Sequence, residues 1–139
     1  MIKYPAKIHN DPDGLWIEFI DFPSCATQGD TMEELLANAQ EVLSMVLNYR
    51  LEENKEIPPP SHPEEENIVY IRPDYKIMIP FVIKQRRKEL GLTQSQIAEM
   101  LKVPYQTYQK IERCKRTPTI STLEKVAKVL GKELILDIQ

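Results

Sequence analysis

At 139 residues and a formal net charge of −3, the chain can form one ordinary domain or two small ones, and units of about 60 to 75 residues are marginal enough alone to predict oligomerisation. The overall balance conceals a division: residues 1–78 carry six Lys/Arg against fifteen Asp/Glu, net −9, whereas residues 79–139 carry twelve against six, net +6. Cys25 and Cys114 are too few and too far apart for a disulfide framework or zinc finger, with His9 and His62 at no ligand spacing, and no stretch has the apolar length of a secretory leader or of a membrane span. The expectation is a reduced, cytoplasmic protein with no membrane role and no cofactor, whose basic half suits a polyanion and whose acidic half suits a cationic protein surface.

In chain order, Ile2–Ile8 and Leu15–Ile20 alternate in character and flank His9-Asn10-Asp11-Pro12-Asp13-Gly14, a run of turn formers that predicts a hairpin. Leu15, Ile17 and Phe19 fall on one face of the second strand, with Trp16 and Glu18 on the other. There Trp16 either half-buries against a neighbouring element or anchors a partner. Beyond Asp21-Phe22-Pro23 a short strand segment, Ser24–Asp30, leads into a helix, with Thr31 as cap and Glu34 completing a capping box. Leu35, Leu36, Ala39, Val42, Leu43, Val46 and Leu47 return every three or four residues, and Glu33, Gln40, Glu41 and Asn48 mark the wet side. The helix is expected to reach about Asn54 and to stop before Ile57-Pro58-Pro59-Pro60-Ser61-His62-Pro63, because proline lacks the amide donor and clashes with the preceding turn. Glu64–Glu66 predicts a solvated turn and Ile68–Ile71 a further strand, giving a small sheet with one helix laid across it.

Asp11, Asp13, Glu18, Asp21 and Asp30 raise the possibility of a magnesium site, since paired carboxylates can hold that ion. Turn positions explain most of them, and no spacing forces two onto one strand face beside a third ligand. His9 lies beside a turn and His62 between prolines, so no nucleophile and base pair is visible and no catalysis is expected.

The basic half opens with a joint, residues 73–79, and Pro80 is expected to start the next helix at its first turn. Phe81, Val82, Ile83, Arg86, Arg87 and Leu90 make that helix amphipathic, and Gly91 ends it. Thr93 caps a second helix with Gln96 as reciprocal partner, and Ile97, Ala98 and Leu101 supply its apolar side. After Lys102-Val103-Pro104, a third helix, Tyr105–Arg113, turns Tyr108 and Ile111 inward. Two short helices joined tightly place the second in a major groove, unless the polar face is merely solvated. Gln pairs bidentately with adenine and Thr reaches a base edge or methyl, so Gln106 is the leading base reader, with Thr107, Tyr105, Gln109 and Lys110 around it. Gln94 is expected near phosphate, and Arg113, Lys115 and Arg116 to position rather than specify. Thr119 or Ser121 begins a fourth helix with Ile120, Leu123, Val126, Ala127 and Leu130 as its stripe, ending at Gly131. Glu133–Ile138 predicts a short strand that pairs in a second subunit or packs on the helices. A dimer would set two recognition helices roughly 34 Å or a multiple apart.

Gly91-Leu92-Thr93-Gln94, Ile97-Ala98, Ile111-Glu112-Arg113, Lys115-Arg116, Pro118 and Leu123, Ala127, Leu130-Gly131 resemble the Xre/Cro class of helix-turn-helix repressors. Lys102 and Cys114 stand where that class usually has glycine, which predicts strained or altered turns, and Pro104 takes its usual hydroxyl-bearing cap position. Tyr4-Pro5, Asp13-Gly14, Asp21-Phe22-Pro23, Cys25–Thr31 and Asn54 followed by Ile57–Ser61 resemble the HicB-type antitoxins. The combined resemblance implies an α+β chain: residues 1–72 as a small partial ribonuclease-H-like sheet with one helix, then residues 80–139 as an all-α helix-turn-helix domain for DNA binding and dimerisation. It further implies binding and blocking of a basic HicA-type ribonuclease toxin, and repression of the pair's own operon through operator DNA. Toxin contacts are expected among Trp16, Glu18, Asp21, Phe22, Cys25, Thr27, Gln28 and Asp30. Two other readings remain open at this stage: a ligand-sensing regulator, which would need a defined pocket, and a metal-dependent nuclease tethered to DNA.

Overall fold

β1 (Tyr4–Asp11) and β2 (Gly14–Phe19) form the expected antiparallel hairpin, with Asp11 paired to Gly14 across Pro12-Asp13. The strands run further into the turn-forming cluster than alternation alone indicates. Gly14 sits at φ +121°, a backbone region that only glycine enters readily. β3 (Ala26–Gly29) pairs antiparallel with β2, and β4 (Ile68–Ile71) antiparallel with β1, giving the order β3-β2-β1-β4. The computed structural model describes residues 1–139, which divide into two units, Met1–Met78 and Ile79–Gln139.

α1 (Met32–Glu52) lies across one face of this sheet and buries Leu35, Ala39, Leu43, Leu47 and Leu51, a row spaced four residues apart. Against it the strands contribute Tyr4, Ala6, Ile17, Phe19 and Ile71, all buried. The approach is close at Gly29, where an added Cβ would lie 2.6 Å from the Leu35 backbone nitrogen. Thr31 caps the helix by accepting from the Glu34 amide at 3.1 Å. The Glu34 carboxylate departs from the expected box: it accepts from the amide of Asp30, one residue before the cap, at 3.2 Å. Gln40, expected on the wet side, donates instead to the Arg72 carbonyl at 2.9 Å and ties the helix to the end of β4.

The proline-rich segment after α1 works as a strap. Tyr4 donates its hydroxyl to the Pro58 carbonyl at 2.7 Å, the Ser61 amide donates to Asp21 at 3.0 Å, and Lys7 pairs with Glu65 at 3.2 Å. His62 packs against the Tyr70 ring. Tyr70 and Lys7 belong to the sheet face away from α1, so the strap covers the part of that outer face formed by β1 and β4.

α2 (Tyr75–Glu89) corrects the expected linker. The Asp74 carboxylate accepts from the Lys76 amide at 2.8 Å, and its carbonyl accepts from Ile77 and Met78, so the helix begins five residues before Pro80. Pro80 is thus interior rather than at the first turn, and its ring removes one rung of the ladder at the place where the two units divide.

In the second unit α3 (Gln94–Leu101), α4 (Tyr105–Glu112) and α5 (Ile120–Val129) close with the C-terminal part of α2 around Ile83, Ile97, Ala98, Tyr108, Ile111, Val126 and Leu130. Thr119, not Ser121, caps α5. Lys102 and Cys114 take the left-handed conformation at φ +59° and +60°, so the turns expected to alter are kept with strained side-chain-bearing residues in them. At Lys102 the reverse-turn bonds Lys102 N–H to Glu99 and Val103 N–H to Ala98 close the end of α3, and the same pairing recurs at Cys114 with Ile111 and Lys110. Within one chain Glu133–Ile138 forms no strand, because this unit holds no sheet for it to join; the expected pairing belongs to an assembly with a second subunit.

Candidate DNA and partner interfaces

The helix-turn-helix is held in shape by a buried ion pair. Arg87 donates from Nε to both Glu112 oxygens, at 3.1 and 2.9 Å, from a second nitrogen to Glu112 again, and from a third to the Leu92 carbonyl at 2.8 Å. One contact therefore fastens α2 to the end of α4 and to the turn before α3. Hydrogen bonding to Glu112 holds the Arg87 guanidinium above its ordinary value. Burial, then the Glu112 carboxylate, pushes the Tyr108 hydroxyl far up. Tyr108 is buried as expected, but the Arg87–Glu112 pair was not read from sequence because the two residues lie 25 positions apart.

On that face, Thr93 and Gln96 form the full capping box of α3. α4 starts after Pro104, which supplies no side-chain cap. Tyr105 donates its hydroxyl to Gln94 Oε1 at 3.1 Å and accepts from Gln109 Nε2 at 2.9 Å. This chain locks Gln94 and Gln109 together across the two helices, so Tyr105 is a positioning residue as well as an exposed one. Gln106, Lys110, Lys115 and Arg116 are exposed, while Thr107 and Arg113 are half-buried. The predicted DNA-contact set is thus gathered on the start of α4 and the turn after it, with Gln94 reaching in from α3.

The predicted protein-contact set is scattered. Strand alternation puts Trp16, Glu18 and Gln28 together on the sheet face away from α1, with Trp16 directly opposite Gln28. Thr27 alternates to the helix side, and Asp30 lies exposed at the start of α1. Asp21 is spent holding the strap through Ser61. Phe22, 1 % exposed, and Cys25, 6 % exposed, are core residues rather than contact residues. Phe22 packs on Tyr4 at 4.9 Å with the Arg50 guanidinium over its ring, and burial pushes the Cys25 thiol up. Between two strands there is no periodicity to say which way these side chains turn, which is why sequence placed them outside.

The outer face also carries residues that spacing did not reveal as a unit. His9 stacks on Trp16 with centroids 3.9 Å apart and planes 11° from parallel. Asp11 accepts from the indole nitrogen at 2.9 Å and from the Asp13 amide at 3.2 Å. Glu18 approaches His9 Nε2 at 3.4 Å. The strand pairing of His9 with Trp16 would have predicted this stack once the hairpin register was fixed. No group of three or more His, Cys, Asp or Glu converges as metal ligands, and no helix is long and apolar enough to cross a membrane.

Comparison with known proteins matches residues 3–73 to the HicB_like antitoxin of bacterial toxin-antitoxin systems and residues 83–136 to a helix-turn-helix family. The chain is 29 % identical over 135 residues to Antitoxin HicB 2 of Photorhabdus laumondii, covering 97 % of this chain and 95 % of that one. It is 26 % identical over 136 residues to Antitoxin HicB of Escherichia coli K12, covering 97 % and 98 %. Among solved structures, a toxin-antitoxin complex from Streptococcus pneumoniae aligns with a TM-score of 0.49 at 22 % identity, over 70 % of this chain and 94 % of that one.

Proposed function

Since the chain belongs to the HicB-like antitoxins and carries a helix-turn-helix domain, we propose that its acidic sheet unit binds and inhibits a HicA-type ribonuclease toxin while its basic helical unit represses the operon encoding both by binding operator DNA. The observation that carries this reading is the segregation of charge along the fold boundary. The unit of net −9 ends at Met78 and the unit of net +6 begins at Ile79, so one surface repels nucleic acid and attracts a cationic protein while the other does the reverse. The chain is a binding protein and not an enzyme on this reading: inhibition is steric, with the outer sheet face covering the toxin and rim carboxylates speeding encounter.

On the DNA side Gln106 reads a base edge, supported by Thr107 and Lys110, and Lys115 and Arg116 neutralise phosphate. A homodimer or higher homo-oligomer forms through the second unit, where Ile135, Leu136 and Ile138 are exposed on the C-terminal tail beside Ile120. Ile120, Leu134 and Leu136 line a groove of about 370 Å³ between α5 and the tail.

Two experiments test the proposal. Expressed alone, the small basic protein encoded beside this chain arrests growth, and co-expression of this chain restores it; arrest that persists refutes the antitoxin role. With a duplex from upstream of the operon, Gln106→Ala reduces discrimination between operator variants by roughly tenfold, whereas Lys115→Ala weakens all duplexes alike and lowers the salt slope by about one contact. Equal loss of discrimination in both variants contradicts the division of roles.

A further inference from the structure

We propose that the outer sheet face at Trp16 is the seat of an arginine guanidinium from the basic partner, stacked on the open side of the indole and paired with Glu18; this rests on the antitoxin reading and names the chemistry of its contact. Trp16 stands between His9 on β1 and Gln28 on β3. His9 covers one indole face at 3.9 Å, and the bond from the indole nitrogen to Asp11 fixes the ring in that plane. The other face therefore turns toward β3, where Gln28 is exposed and the neighbour of Glu18 is the small Ala26.

Glu18 has no lysine or arginine of its own chain paired with it. Its cross-strand neighbour is Lys7, but that ammonium is drawn to Glu65 of the strap at 3.2 Å. His9 Nε2 comes within 3.4 Å of the carboxylate yet makes no hydrogen bond. A carboxylate met only by His9, beside an indole held on one face by that same ring, in a unit of net −9, fits a planar cation. A guanidinium both stacks on the ring and offers paired donors to a carboxylate, whereas an ammonium does neither as well.

Trp16 is the chain's one tryptophan, so its emission reports this site directly. Titrating the full-length protein with a hexa-arginine peptide gives a saturable change in Trp16 emission, tighter than with hexa-lysine. Glu18→Gln weakens the arginine peptide by roughly two- to fivefold, while Glu41→Gln, which removes the same charge from the exposed side of α1, leaves it unchanged. An unresponsive Trp16, or equal weakening by both variants, overturns the proposal. So does an emission change that follows the protein's own concentration, which would make this face a contact between copies. The antitoxin reading is judged separately: if wild type and Glu18→Gln quench the toxin with equal affinity, the guanidinium seat is wrong and the antitoxin stands. If wild type does not quench it, the antitoxin reading itself fails.

Discussion

Glu112 is 1 % exposed and spends both carboxylate oxygens on Arg87. Two charges withdrawn from water attract strongly, but each has lost its hydration, so the pair can add little net stability while its half-removal is severe. Glu112→Ala leaves the Arg87 guanidinium buried without its counter-charge and costs the helical unit about 3–5 kcal/mol, enough to unfold a small domain of ordinary stability. The double variant Arg87→Met with Glu112→Leu recovers most of that loss. Urea unfolding followed by circular dichroism distinguishes the cases: a double variant as unstable as the single one would show that the pair supplies stability outright. At the same scale Tyr105 couples Gln94 to Gln109, so the polar face of the recognition helix is set in place before DNA arrives.

At the scale of elements, the contact between β3 and α1 leaves no room for a side chain at Gly29. Gly29 permits it because any Cβ there would lie 2.6 Å from the Leu35 nitrogen and 2.8 Å from its Cα, backbone atoms that cannot swing aside. Gly29→Ala is therefore expected to destabilise this unit by about 1–3 kcal/mol, seen as a lower midpoint in thermal unfolding; an unchanged midpoint would mean that α1 does not sit so close. The elements themselves were largely legible. Turn residues located the hairpin, Thr31 and Thr93 marked helix starts, and apolar spacing identified the buried rows of α1 and α3. What escaped were features decided by distant residues. Pro80 reads as a helix start, yet Asp74 begins the helix earlier by bonding its own neighbours. Glu133–Ile138 has the composition of a strand but no sheet in its unit to join. The segment Ile57–Pro63 announces that it is not helical, while its path over the outer face depends on Tyr4 and Asp21, both far away in sequence. For the site, the residues expected to meet DNA lie together because one helix carries most of them. Those expected to meet a protein partner are dispersed over β2, β3 and the loops beside them, and Phe22 and Cys25 turn to the core.

At the scale of the whole molecule, the opposite net charges of the two units would, on the proposed function, select two oppositely charged partners without any need for communication between the units. The DNA contact should weaken steeply with salt through counterion release, whereas inhibition of the toxin, resting on a buried centre with a charged rim, should lose mainly association rate. The central claim is that the sheet unit alone performs inhibition, and it is tested most directly by measuring cleavage of a labelled RNA by the neighbouring gene's product as the full-length chain is added. Cleavage is expected to be abolished at stoichiometric amounts, equally by wild type and by a Gln106→Ala, Lys115→Ala variant that no longer holds operator DNA. Cleavage that continues in excess chain, or inhibition that disappears with the DNA-contact residues, would contradict that claim.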